Sequence, residues 1–281
     1  ASCLVGSEMC IRDRVIALPP LATAAILPSL ASFCNDHAII TDVASVKGNV
    51  VEAVEKLPID FSSRFVPGHP IAGSEKSGYL ASNAGLFAKR NIILTPLANN
   101  SSDSLRLVSA MWRALDANML AMSVKHHDEV LAATSHLPHL LAYSIVDVLA
   151  KQEKSGDIFR YAAGGFADFS RLASSDARMW SDIFVANRTA SAEVLGAMIA
   201  ELQALKTALE SSPDERLSMD LRTLFAHAKE TREAFINTHF KPTANNAMNE
   251  KSVVFVAGQS GTNVPLMKGR VRVPGDKSIS H

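Results

Sequence analysis

Near Ser123 the character of the sequence changes, and that change constrains the fold more than any other feature. Before it, short apolar runs alternate with amphipathic stretches. Residues 15–18 form one run, closed by Pro19 and Pro20. Residues 38–42 form a second, ending on an acid, and residues 91–95 a third, stopped by Pro96. Runs this short, bounded by proline and polar residues, read as buried strands. Between them, residues 21–33, 45–57 and 103–118 read as helices. Val46, Val50, Val54 and Leu57 share one stripe, and Leu107, Met111, Ala114 and Leu115 another. Strands alternating with helices predict a parallel sheet in an α/β domain over residues 15–121.

Residues 122–238 show helical patterning and almost no strand signal. Helices are predicted over residues 126–150 (despite Pro138), 176–210 and 216–235. The second would span on the order of 50 Å as a single rod. Its stripe of Trp180, Phe184, Val194, Met198, Leu202, Leu205 and Leu209 therefore predicts packing on several neighbours or on a second chain. The fold class is α/β plus all-α. Residues 1–14 fit neither pattern and read as a foreign or disordered tail. Residues 239–252 read as a polar linker, and residues 253–281 as the start of something new, opening on a strand at 253–256.

Basic and acidic side chains balance at 28 each, which gives no electrostatic case for nucleic acid or an anionic membrane. An anionic small molecule must then be held by a few placed cations. Cys3, Cys10 and Cys34 have no metal-ligand or disulfide spacing, which fits a reducing cytoplasm. The uncharged stretch 15–34 is interrupted by Pro19, Pro20 and Pro28, so no membrane span is expected.

Chemistry concentrates in FVPGHPIAGSEKSG, residues 65–78, where Gly68, Pro70, Gly73 and Gly78 predict a long shaped loop. His69, between Gly and Pro, is a candidate proton acceptor or an ordinary loop histidine. Ser74, Glu75 and Lys76 either hold the loop or reach a ligand. Ser135 and His139 share a helix face, as pocket residues or as polar groups satisfying a helix kinked at Pro138. His136 points elsewhere and reads as structural. Gly164 and Gly165 permit close backbone approach to a ligand, or break a helix. Trp180 walls a pocket or belongs to the core. His126, His127 and Asp128 read as a solvated helix cap in preference to a metal site, and no metal is expected.

The loop at 65–78 resembles the histidine loop of the prephenate and arogenate dehydrogenases. TDVASVKG (41–48), TSHLPHLLAY (134–143) and AAGGFADFSRLASSDARMW (162–180) resemble three further motifs of that family, in family order. The resemblance covers residues 15–235. It implies a Rossmann-like domain followed by a helical substrate and dimerisation domain, and an NAD(P)-dependent oxidative decarboxylation of prephenate or arogenate in tyrosine biosynthesis. It further implies His69 as the base on the substrate hydroxyl and Ser45 as the hydroxyl orienting it. Arg171 would grip a carboxylate. Ser135, His139, Ser74, Gly165 and Trp180 would border the substrate, and Pro19, Thr41, Asp42 and Ser45 the nicotinamide. A homodimer through the helices is implied as well.

Two departures accompany the resemblance. No G-x-G-x-x-G occurs, so at least two βα units, about 60 residues, are expected to be missing, and the chain alone is expected to be inactive. VPGDKSISH (273–281) resembles the opening of 5-enolpyruvylshikimate-3-phosphate synthase, with Lys277 and Ser278 as its ligand contacts, which implies a fusion. Two alternatives stay open: another Rossmann-type hydroxyacid dehydrogenase, and a non-catalytic helical dimerisation remnant.

Overall fold

The structure, a computed structural model, describes residues 13–73, 80, 82–239 and 254–255. The readings made for residues 1–12 and for Ser74, Glu75 and Lys76 lie outside the described residues. So do those for the linker over 240–252 and for Lys277 and Ser278.

Three parallel strands open the chain in the order β1 (Arg14–Ile16), β2 (Ile40–Asp42) and β3 (Phe65–Val66). After Pro67 the chain continues directly into β4 (Gly68–Pro70), which pairs on its other side with β5 (Asn91–Leu94). The stretch 65–70 thus carries one sheet into the next. Here the structure differs from the expected loop. Gly68 and Pro70 sit in a strand of only three residues, with Pro70 at its end, where a missing N–H costs least. The β4–β5 pairing is antiparallel, whereas β5 runs parallel to β6 (Asn118–Ala121), and β6 parallel to β7 (Val254–Phe255).

Strand β6 was not expected, and its first residue, Asn118, lay in the helix predicted over 103–118. That helix, α4 (Ser102–Ala114), is capped by Ser101, whose hydroxyl accepts from Ser104 N. It stops because Asp116 turns left-handed, at φ 57°, and redirects the chain into the sheet.

Helices α1 (Pro20–Phe33), α2 (Gly48–Glu55) and α3 (Ile59–Ser62) complete the first unit. Neighbouring residues on a strand point to opposite faces. Ile40 and Phe65 enter a core with Ile16, Leu27, Val50, Val54 and Phe61, while Ile39 and Val66 enter one with Ile92, Leu94, Val108, Trp112 and Met119. Helices therefore cover both faces of the sheet, the Rossmann-like arrangement.

The rest of the described chain is helical: α5 (Val124–Leu131), a π-helical turn (Ala132–His136), α6 (Leu137–Ala150), α7 (Ser155–Arg160), α8 (Gly164–Ser170), a 3-10 turn (Arg171–Ser174), α9 (Ala177–Ala186), α10 (Arg188–Ser211) and α11 (Asp214–His239). The single helix expected over 176–210 is two. Asn187 leaves helical geometry (φ −111°, ψ 41°) and its buried amide donates to the Asp128 carbonyl at 2.8 Å. That bond ties the break to α5. The π turn precedes Pro138, whose missing N–H cannot continue the α-helical ladder. No described helix is long and apolar enough to cross a membrane.

Candidate active site

The polar centre lies where the sheet meets α5 and α9. His69 occupies the middle of β4, opposite Ile93, and is 9% exposed. Its Nδ1 lies 2.9 Å from His127 Nε2, and His127 Nδ1 lies 2.7 Å from Asp128 Oδ1. The Asp128 carboxylate accepts two backbone amides at the start of α2, Lys47 N at 2.9 Å and Gly48 N at 2.7 Å. Glycine is required at 48, because a Cβ there would stand 2.8 Å from Asp128 Oδ2.

Beneath this row lies a second one. Lys47 is wholly buried, and its ammonium donates to Asp42 Oδ2 and, at 2.7 Å, to the Gly68 carbonyl. Asp42 also accepts Ala44 N at 3.0 Å and Gly68 N at 3.2 Å. Gly68 suits this close approach, since a Cβ would stand 3.1 Å from the Asp42 carbonyl and press on that strand. The strand carrying His69 is thus clamped through both the N–H and the carbonyl of Gly68.

The electrostatics follow from burial. His69 is pushed well below the ordinary histidine pKa, first by desolvation and then by His127, Lys47 and His136. Burial also lowers His127, against the opposing pull of Asp128, and lowers Lys47 against that of Asp42. Burial works to raise Asp128, but hydrogen bonds from His127 and the Lys47 and Gly48 amides prevail, and its carboxyl sits below the usual range.

Around this centre, His139 stacks on Trp180 with ring centroids 3.7 Å apart, and its Nδ1 lies 2.9 Å from the Ser135 carbonyl. Ser135 thus meets His139 through its carbonyl. Trp180 also packs with Val46 and Ile183, so α9 is fastened to the loop before α2, and its indole Nε1 is buried without a partner. Ser45 is half-buried and Pro19 exposed at the start of α1. Thr41 and Asp42, expected beside a cofactor, turn inward: the Thr41 hydroxyl donates to the Val66 carbonyl at 2.7 Å, and both Asp42 oxygens are engaged by the protein. Arg171 is exposed on the 3-10 turn, which packs on α6, the helix of His139. Gly165 lies exposed in the first turn of α8, with open space where a Cβ would stand.

The solvated-cap reading of His127 and Asp128 is corrected. Ser123 supplies the cap by accepting from His126 N, while His127 is fully buried and Asp128 nearly so. Leu131, one helical turn on and also buried, was the available signal. Lys47 was likewise passed over, although Val51 and Val54 follow it at helical spacing.

His136 is 1% exposed, and its pKa is lowered, chiefly by burial, to about 4. An unfolded histidine titrates near 6.5. Between those values the unfolded chain holds a proton that the folded chain lacks. Stability is therefore complete above about pH 6.5, falls as the pH drops toward about 4, and changes no further from this group below that. The gap corresponds to roughly 3 kcal/mol, and His69 and His127 act in the same direction. Urea midpoints should stay level from about pH 7.5 to 6.5 and then decline continuously to about pH 4.5. A flat profile would show that these rings are not buried neutral.

The family models agree with this division. The model described as the nucleotide-binding domain of prephenate dehydrogenase matches residues 13–121, and that described as its dimerization domain matches residues 123–223. The cyclohexadienyl dehydrogenase of Zymomonas mobilis is 35% identical over 223 residues, 78% of this chain and 73% of that protein. The prephenate dehydrogenase of Bacillus subtilis is 34% identical over 282 residues, 95% of this chain and 74% of that protein. Among solved structures, prephenate dehydrogenase from Aquifex aeolicus, in complex with hydroxyphenyl propionate and NAD+, superposes with a TM-score of 0.70 at 33% identity, covering 78% of this chain and 76% of that one. With both domain models matched in order and relatives of this identity spanning most of their own length, the chain belongs to the prephenate dehydrogenase family.

Proposed function

We propose that the site performs the oxidative decarboxylation of prephenate or arogenate, with His69 accepting the proton of the ring hydroxyl. One observation carries this: His69 is a buried imidazole held neutral by its surroundings, in a row of hydrogen bonds that begins at a carboxylate. A base must be unprotonated at working pH, and burial achieves that here. Ser45, half-buried beside the Asp42 turn, orients the same hydroxyl. Arg171 binds a substrate carboxylate with its planar fork. Ser135, His139, Gly165 and Trp180 border the substrate together with Ser74, and the unpartnered Trp180 Nε1 is a donor suited to a polar ligand atom.

The oxidant is a nicotinamide dinucleotide, NAD+ or NADP+, which supplies the hydride acceptor when bound. The residues present fit its nicotinamide end. Asn49 donates to the Pro20 carbonyl at 2.9 Å and keeps Oδ1 buried without a partner. A carboxamide N–H is the type of donor that oxygen lacks. Pro19, at the mouth of α1, and the turn from Thr41 to Ser45 frame that position, while Thr41 and Asp42 hold the turn's shape from within.

The helical unit serves as a homodimer interface. Ile199, Leu202 and Leu209 on α10 and Met219 and Phe225 on α11 are exposed, and Ser191 is the sole buried residue of α10. The matched dimerization-domain model spans α10 and ends within α11, at residue 223.

The test is direct. Purified protein carrying a G-x-G-x-x-G phosphate-binding unit joined ahead of residue 13 is mixed with prephenate or arogenate and NAD+ or NADP+, and reduced nicotinamide is followed by absorbance; the chain without that unit should show no turnover. Arg171→Met should raise KM about 100-fold or more while changing kcat far less, the pattern of a lost carboxylate contact. An unchanged KM removes Arg171 from the site.

A further inference from the structure

Tautomers in the buried row are dictated from one end. A carboxylate only accepts hydrogen bonds, so at the 2.7 Å contact His127 Nδ1 must carry the hydrogen. A neutral His127 then presents a bare Nε2. Across the 2.9 Å contact His69 Nδ1 must therefore donate, which leaves His69 Nε2 with its lone pair free. The Asp128 carboxylate cannot turn away from this duty, because the Lys47 and Gly48 amides hold its two oxygens.

We infer that His127 and Asp128 are positioning residues that fix the proton of His69 on Nδ1 and receive it when Nε2 takes another. The second half rests on the proposed function. As the substrate hydroxyl gives its proton to His69 Nε2, the Nδ1 proton passes to His127 Nε2. His69 ends neutral, as the opposite tautomer, and His127 becomes an imidazolium paired with the Asp128 carboxylate. One proton enters the row and none leaves it, and the substrate electrons stay with the substrate and its oxidant.

The direction of transfer suits the surroundings. Facing His127 are Asp42, Lys47, His69, Asp128 and His136. The carboxylate of Asp128 touches His127, whereas the Lys47 ammonium and two neighbouring rings oppose charge on His69. A charge left on His69 would have no partner in direct contact among the described residues, and on His127 it has one.

The test reads tautomers in the full chain, labelled with nitrogen-15 histidine, by two-bond proton–nitrogen correlation spectra. In the wild type, His69 and His127 should both carry hydrogen on Nδ1. Asp128→Asn keeps the volume, but its single oxygen cannot serve Lys47 N, Gly48 N and His127 Nδ1 together. It should convert the fixed tautomer of His69 into a mixture. His127→Phe keeps a ring without either nitrogen and should do the same. Asp128→Asn should also lower kcat about 100-fold or more with KM within about threefold, as expected for a mispositioned and uncompensated imidazole. Asp128→Glu should restore part of it. A wild-type His69 protonated on Nε2, or an unchanged His69 tautomer in both variants, overturns the inference. Fixed tautomers together with full turnover after loss of His69 would instead overturn the proposed function and leave the tautomer assignment standing.

Discussion

His69→Asn lowers kcat about 10²–10⁴-fold while leaving the fold and its stability nearly unchanged. The substitution separates the two jobs of the ring. Asparagine places an amide N–H close to where His69 Nδ1 lies, so the buried bond to His127 Nε2, 2.9 Å in the wild type, keeps a donor. It offers no basic nitrogen in place of Nε2. If His69 accepts the substrate proton, turnover collapses, and equilibrium unfolding shifts by no more than about 1 kcal/mol, the usual worth of one such bond. Substrate affinity should change much less than kcat, because the lost interaction matters most as the proton moves. Steady-state kinetics beside urea denaturation decide the matter. A variant within threefold of wild-type kcat would remove His69 from the chemistry, and one that fails to fold would show that the ring is mainly a core residue.

The sequence revealed His69 and hid the machinery that supports it, for a physical reason. Gly-His-Pro flanked by further glycines is incompatible with a helix, which marks the segment as special, although not as the short strand it turns out to be. Lys47, His127 and Asp128 carry no such mark. Charged residues near a helix start are normally solvated, so His127 and Asp128 read as a surface cap and Lys47 drew no attention. What reverses the default is tertiary: the two amides at the start of α2 need an acceptor, and α5 brings Asp128 to them across 80 positions of sequence. Apolar spacing located β1, β2, β5 and the helices over their cores, since burial alone decides those. It missed β6 because the left-handed Asp116 is a single residue in an otherwise helical run, and it missed the α9–α10 break because the force bending the chain is Asn187 reaching the Asp128 carbonyl. The inward turn of Thr41 and Asp42 escaped notice likewise. A strand-end acid beside a cofactor and one beneath a lysine look identical in sequence.

Lys47→Met should destabilise the protein by about 3–5 kcal/mol, the largest loss expected of any single substitution in this region. The methionine chain fills most of the volume of the lysine stem, so packing is nearly conserved and the effect isolates the charge. Without the ammonium, Asp42 remains at 0% exposure with only the Ala44 and Gly68 amides as donors, and the Gly68 carbonyl loses its 2.7 Å partner. A buried carboxylate in that state must either stay charged without its counter-ion or bind a proton at neutral pH, and both cost free energy. Asp42→Asn alone strands the lysine instead, although burial already biases that amine toward its neutral form. The combination Lys47→Met with Asp42→Asn removes both charges, so its cost should fall short of the summed singles by about 2 kcal/mol or more. Some loss persists, because the asparagine amide faces the Ala44 N–H, a donor against a donor. Strictly additive singles would mean that the pair is not a coupled unit. Since both partners grip the Gly68 peptide, the single variant should also release the strand that carries the imidazole, and kcat should recover in the double variant only as far as stability does.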